Sequence, residues 1–189
     1  MKRREEDWII IDRLADVIIA HSRDFSYEPE PWKAKGCIVE IGAGCSTSVL
    51  SRHAQRFQVK HYTCDINRSR KLHDLHIVFK GPSFDFMGIF NDTPVLVLLD
   101  GSHHYEDVLV EVEFFLPKLV EGGVIFIHDT YPPFDEWAVR GKHCGDVYKL
   151  RQDLEKRDDI QSWTFTYTAN SCGLTMVTNK EKNRIFCRK

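Results

Sequence analysis

The sequence contains no apolar run approaching the roughly 20 residues that a membrane-spanning helix needs. Nor is there an excess of one charge: 26 Lys+Arg stand against 28 Asp+Glu, a formal charge of -2. Domains that coat phosphate backbones are usually strongly basic, so nucleic acid is not the favoured partner. No C-x-x-C pair occurs among the six cysteines, which are scattered at 37, 45, 64, 144, 172 and 187. That is the usage of reduced, structural thiols rather than of a disulfide scaffold. The opening Met1-Lys2-Arg3-Arg4-Glu5-Glu6-Asp7 turns acidic at once, unlike a secretory signal, and a cytoplasmic location is expected. Internal repeats and low-complexity tracts are also missing.

What remains is ordinary globular material, 42% hydrophobic and 29% charged over 189 residues, enough for one domain with a sizeable core. Trp8, Ile9, Ile11, Leu14, Ala15, Ile18 and Ile19 fall at helical spacing and predict a packing helix over 5–21. Residues 1–35 thus read as a helix and loop packing on a core domain of 36–189. The same apolar helix could pair with a second chain, which leaves homo-oligomerisation open. The chain then alternates. Strands are predicted at 37–41, 60–64, 76–79, 94–99 and 124–127, with helices at 47–56, 68–75, 84–90 and 105–120. Residues 94–99 are almost wholly apolar, as in a central parallel strand buried on both faces. A long loop over 129–145 leads to a helix capped by Asp146. Two β-rich segments, 161–168 and 172–178, are joined at Ala169-Asn170-Ser171. The pattern predicts an α/β fold: a doubly wound, mostly parallel, seven-stranded Rossmann-like sheet with a C-terminal antiparallel hairpin.

In such a sheet, ligands bind beyond the carboxyl ends of the strands. The first strand runs into Glu40-Ile41-Gly42-Ala43-Gly44-Cys45-Ser46-Thr47, where Gly42 and Gly44 let the backbone turn tightly and approach a ligand. The second ends at Asp65, whose carboxylate can accept hydrogen bonds from both ribose hydroxyls of a nucleoside. Together they point to a nucleoside cofactor. A nicotinamide dinucleotide is the rival, but its fingerprint wants glycine at position 47, where this chain has threonine. Ser46, Thr47 and Ser48 can still donate hydrogen bonds at the helix start.

Polar groups gather at two further strand ends: Asp100, His103 and His104 after the fourth, His128 and Asp129 after the fifth. A right-handed crossover can bring them to one rim. Either His103 or His128 serves as general base, since imidazole titrates near neutrality, or Asp100, His128 and Asp129 hold a divalent cation that acidifies a hydroxyl. The plainer readings are a helix-capping Asp100, a packing Tyr105, a surface His104 and a core His128. The segment 130–146, with Tyr131, Pro132, Pro133, Phe134 and Trp137, has the length of a lid. Its Arg140, Lys142 and His143 suit a polar or anionic substrate or simply solvent.

Glu40-Ile-Gly-Ala-Gly44, Asp65 and Asp100 resemble the class I S-adenosylmethionine-dependent methyltransferases. More narrowly, Leu99-Asp-Gly-Ser-His-His-Tyr105 with Leu119-Val-Glu-Gly-Gly-Val-Ile-Phe-Ile-His-Asp129 resembles a branch of small methyltransferases that includes macrocin-type sugar O-methyltransferases. The likeness spans residues 36–178. It implies that Glu40 to Gly44, with Ser46 and Thr47, wrap the methionine part of S-adenosylmethionine. By the same likeness, Asp65 holds the ribose, Ile66 packs on the adenine and Ser83, or Asp85 in its place, meets the adenine edge. A helix N-cap is the structural alternative for Ser83. Metal-dependent members of the wider group carry acidic ligands at positions matching Asp100, His128 and Asp129, which implies a divalent cation such as Mg²⁺; His is a poor match for a hard cation, so Mn²⁺, Zn²⁺ or no metal are open as well. The expected function is O-methylation of a hydroxylated small molecule. The alternatives are a nucleoside-binding regulatory protein without turnover and an NAD-dependent oxidoreductase.

Overall fold

The computed structural model describes residues 5–22, 35–67, 70–141, 143–166 and 172–182. Its centre is made of the most apolar runs: β1 (Cys37–Ile41), β4 (Pro94–Leu99) and β5 (Val124–His128) are buried at every position. β2 (His61–Asp65) and β3 (His76–Lys80) extend the sheet on one side. β6 (Ile160–Phe165) and β7 (Leu174–Asn179) complete the other. The strand order is β3-β2-β1-β4-β5-β7-β6. Pairing is parallel from β3 to β5 and antiparallel through β5, β7 and β6, the sheet anticipated above.

Successive side chains of a strand point to opposite faces, and the core divides accordingly. Ile38, Leu96, Leu98, Val124 and Phe126 pack with α1 (Glu5–His21) and α2 (Ser46–Phe57). Val39, Val97, Leu99, Ile125 and Ile127 pack with α3 (Ser83–Ile89), α4 (Tyr105–Phe115) and α5 (Tyr148–Leu154). The N-terminal helix therefore lies on this domain's own sheet, with Trp8, Ile11, Ala15, Ile18 and Ile19 buried. None of the described helices is long and apolar enough to cross a membrane.

Three local expectations fail. The predicted helix at 68–75 is absent from the described residues 70–75. Leu72 and Leu75 are their only apolar residues, and Leu72 is exposed, too little burial to reward helix nucleation; the Leu72 N–H instead donates to His76 Nδ1 at 3.1 Å. The helix expected to reach 120 stops at Phe115 and tightens into a 3-10 turn, Leu116–Lys118, because Pro117 has no N–H to continue the ladder. Asp146 does not cap α5, whose N-cap is Val147. Its Oδ1 accepts the Tyr105 N–H at 2.8 Å, capping α4 from a distant loop. The hairpin turn at 169–171, Lys142 and Cys187 lie outside the described residues.

Candidate active site

The sheet's strand order reverses between β1 and β4, and there the site is built. Gly42 has φ +91, and a Cβ on it would stand 2.2 Å from the Asp100 carbonyl oxygen. Only glycine permits that turn and that approach. Its N–H donates to the Cys64 carbonyl and the Asp100 N–H donates to the Ile41 carbonyl, both at 2.8 Å, so three strand ends are locked together. The Ala43 N–H donates to Asp65 Oδ2 at 2.8 Å and the Asn67 N–H to Oδ1 at 2.7 Å. These two bonds aim the Asp65 carboxylate.

Beyond the strand ends opens a cavity of about 350 Å³, within the range of small-ligand sites. Gly42, Asp65, Ile66, Ser83 and Asp100, all expected at the cofactor, line it. Ile66 is 65% exposed, and Phe84, which also lines the cavity, 49%. Two apolar side chains at one opening suit a flat heterocycle. Glu40 and Ser46 lie behind the wall instead: the fully buried Glu40 carboxylate accepts hydrogen bonds from the hydroxyls of Ser46, Thr47 and Thr63. Thr47 Oγ1 in turn accepts the Gly44 N–H at 3.0 Å. Gly44 and Thr47 face a smaller hollow of about 220 Å³ on the other side of the loop. These residues buttress the turn, which explains why threonine serves at position 47.

Ser83 is the first residue of α3, after an N-cap at Pro82. Its hydroxyl bonds Glu111 of α4, a residue the sequence reading missed. Glu111 lines the cavity, is buried, and has an Oε2 without a hydrogen-bond partner. Burial pushes its carboxyl up to about 7, with the Ser83 bond pulling down and Asp107 pushing further up. One signal was available: Glu111 occupies the apolar stripe of Val108, Val112 and Phe115, where a solvated glutamate does not belong.

At the neighbouring rim, His128 Nδ1 lies 3.0 Å from Asp100 Oδ1 and 3.1 Å from Asp129 Oδ1. Burial works against charge on this imidazole, but the two carboxylates outweigh it and hold its pKa well above the usual value. His128 is therefore a buried cation rather than an available base, contrary to that part of the expectation. Asp129 has φ +62, the left-handed region, where non-glycine residues are uncommon and often functional. Burial raises its pKa, yet His128 and His103 prevail and keep it below the ordinary value. His103 Nε2 stands 3.1 Å from Asp129 Oδ2, and its side chain is 32% exposed. Asp100, His103 and Asp129 bring ligand atoms within 4.8 Å of one another. Metal-ligand spacing thus involves His103, whereas His128 stands between the carboxylates as proton donor. His104 lies at the surface, 3.8 Å from Asp107. In the loop after β5, His143 stacks on Trp137 and Arg140 pairs with Glu106.

No curated protein shows significant sequence similarity to the chain. A family model described as a methyltransferase domain matches residues 39–130, from β1 to just beyond Asp129. The O-methyltransferase TomG from Streptomyces achromogenes, solved with SAM, aligns with TM-score 0.64 and 14% identity over 92% of this chain and 79% of that one. An O-methyltransferase from Bacillus cereus, solved with SAH, aligns with TM-score 0.62 and 13% identity over 91% and 81%. MycE methyltransferase from the mycinamycin biosynthetic pathway, solved with Mg and SAH, aligns with TM-score 0.51 and 17% identity, over 79% of this chain and 46% of that one. At such identities the solved structures attest the fold, while the family model covers the glycine turn, the ribose-type acid and both polar strand ends. Residues 39–130 are thus similar to a methyltransferase domain, on a fold shared with methyltransferases solved with SAM or SAH.

Proposed function

We propose that this enzyme methylates a hydroxyl group of a small molecule, with His103 as general base and Asp129 as the residue that orients it. The observation that carries the reading is the His103 Nε2 to Asp129 Oδ2 contact of 3.1 Å, with His103 directly after Ser102 of the cavity wall. S-adenosylmethionine, when bound, supplies an electrophilic methyl group on sulfur. Asp65 would hold the ribose hydroxyls, Ile66 and Phe84 would cover the adenine, and the turn at Gly42 would admit the methionine part closely. An attacking hydroxyl must lose its proton as the new bond forms. His103, partly exposed, takes that proton at one ring nitrogen while Asp129 fixes the ring through the other. The His128 cation between Asp100 and Asp129 keeps both carboxylates ionised in a buried place, where an unpaired charge would be costly.

The grouping of Asp100, His103 and Asp129 favours a second reading, in which a divalent cation on these three side chains acidifies the hydroxyl. The solved structures named above suit a small-molecule acceptor, and the free thiols of the five described cysteines suit a cytoplasmic location. The test is turnover of methyl-labelled S-adenosylmethionine with a panel of hydroxylated small molecules, followed by mass spectrometry of the product. An oxygen-methylated product that vanishes in His103→Ala supports the proposal. Methyl transfer to nitrogen or carbon alone would end it. Loss of turnover on chelation, restored by Mg²⁺ or Mn²⁺, would select the metal-assisted form.

A further inference from the structure

Beside the rim, Asp129 also meets two thiols that have no part in that chemistry. Asp129 at the end of β5, Cys144 ahead of α5 and Cys172 ahead of β7 hold a carboxylate oxygen and two thiol sulfurs within 4.8 Å of one another. Asp129 and Cys144 are buried, and Cys172 is 9% exposed. Each of the three is held in place. The Cys144 N–H donates to the Trp137 carbonyl at 3.1 Å, and the Cys172 carbonyl accepts the Tyr131 N–H at 2.8 Å. Asp129 is fixed by His128 and His103. The sequence gives no hint of the arrangement, because the three residues are far apart and form no C-x-x-C pair.

We propose that Asp129, Cys144 and Cys172 form a binding site for a soft divalent cation of the Zn²⁺ class. Thiolates select such ions over Mg²⁺ and Ca²⁺, which prefer oxygen. Three protein ligands with a fourth position left open is an established zinc arrangement. Binding replaces the two thiol protons with two metal–sulfur bonds and releases the protons to solvent. The ion ties the segment after β5 to the start of β7, and so holds in place the carboxylate proposed to orient His103.

The experiment is a titration of the full-length, phosphine-reduced, metal-stripped protein with CoCl₂ and then ZnCl₂. The expected result is one equivalent of Co²⁺, with a thiolate-to-cobalt charge-transfer band, displaced by Zn²⁺ and not by excess Mg²⁺. Cys144→Ser and Cys172→Ser should each weaken binding by more than about 100-fold, beyond the loss of a supporting contact. Cys45→Ser, at an exposed cysteine away from the cluster, should leave binding unchanged. The wild-type titration decides the matter even where a variant does not fold. A missing charge-transfer band, displacement by Mg²⁺, or a band that persists in the Cys144→Ser/Cys172→Ser double variant would each overturn the site.

Discussion

Trp8 lies nearly parallel to the His128 imidazole, with ring centroids 5.3 Å apart and planes 20° apart. The N-terminal helix thus covers the buried cation on which Asp100 and Asp129 converge, and an indole face beside a charged ring is favourable. Trp8 is buried. Trp8→Ala should cost about 3 kcal/mol or more, from lost burial and the cavity left behind. Thermal unfolding measures it, and Trp8→Phe should recover a good part of the loss. An unchanged melting temperature in the alanine variant would show that α1 contributes little here.

Removing the base or its partner should affect chemistry rather than cofactor binding. His103→Ala and Asp129→Asn are expected to slow methyl transfer on the order of 100-fold or more, the usual worth of a positioned proton acceptor. Affinity for S-adenosylmethionine, measured by calorimetry, should change little in His103→Ala. A slowing explained wholly by weaker cofactor binding would remove His103 from the mechanism.

Asp65→Ala should weaken S-adenosylmethionine binding by about 10- to 100-fold, from lost hydrogen bonds to a charged acceptor worth about 1.5–3 kcal/mol. The protein should stay folded, since Asp65 lies at the end of β2 rather than in either core. NADH fluorescence is the control, and wild-type protein should leave it unchanged.

Gly42→Ala should prevent the native turn. The added methyl would meet backbone atoms of Asp100 and Gly101 at 2.2–2.6 Å, at a φ that L residues rarely adopt. Gly44→Ala is the contrast, since its Cβ would meet only Ser46 Oγ at 3.9 Å. That variant should fold normally and keep its cofactor affinity, as circular dichroism and calorimetry will show.

Glu111 makes stability pH-dependent in an identifiable direction. Its folded carboxyl holds its proton up to about 7, above the ordinary 4.5, so the unfolded chain releases that proton first as pH rises. Stability from this group is therefore full below about 4.5 and falls between about 4.5 and 7, by something on the order of 3 kcal/mol. His128 adds to the decline above its ordinary 6.5, since its folded pKa is raised. Asp129, whose pKa is lowered, acts at the acid end and loses its contribution as pH falls through and below 3.8. Denaturant unfolding of Glu111→Gln should show a shallower fall between pH 5 and 7 and greater stability at pH 8 than wild type. Parallel pH profiles for the two proteins would refute the assignment.

Strand alternation, the apolar run at 94–99, Gly42 and Asp65 were readable in the chain because each rests on local rules: periodicity, backbone freedom and the offset from a strand end. The sequence by itself determined the doubly wound sheet and the rim where the polar strand ends gather. Only the tertiary structure decided which groups at that rim share protons. His128 reads as a base in isolation and becomes a cation once two carboxylates stand about 3 Å away. Asp146 reads as the cap of the helix that follows it and caps α4 instead. Glu111, and the meeting of Asp129 with Cys144 and Cys172, come from crossovers that bring distant segments together. Charge state and ligand geometry depend on distances through space, and those are set only when the sheet closes.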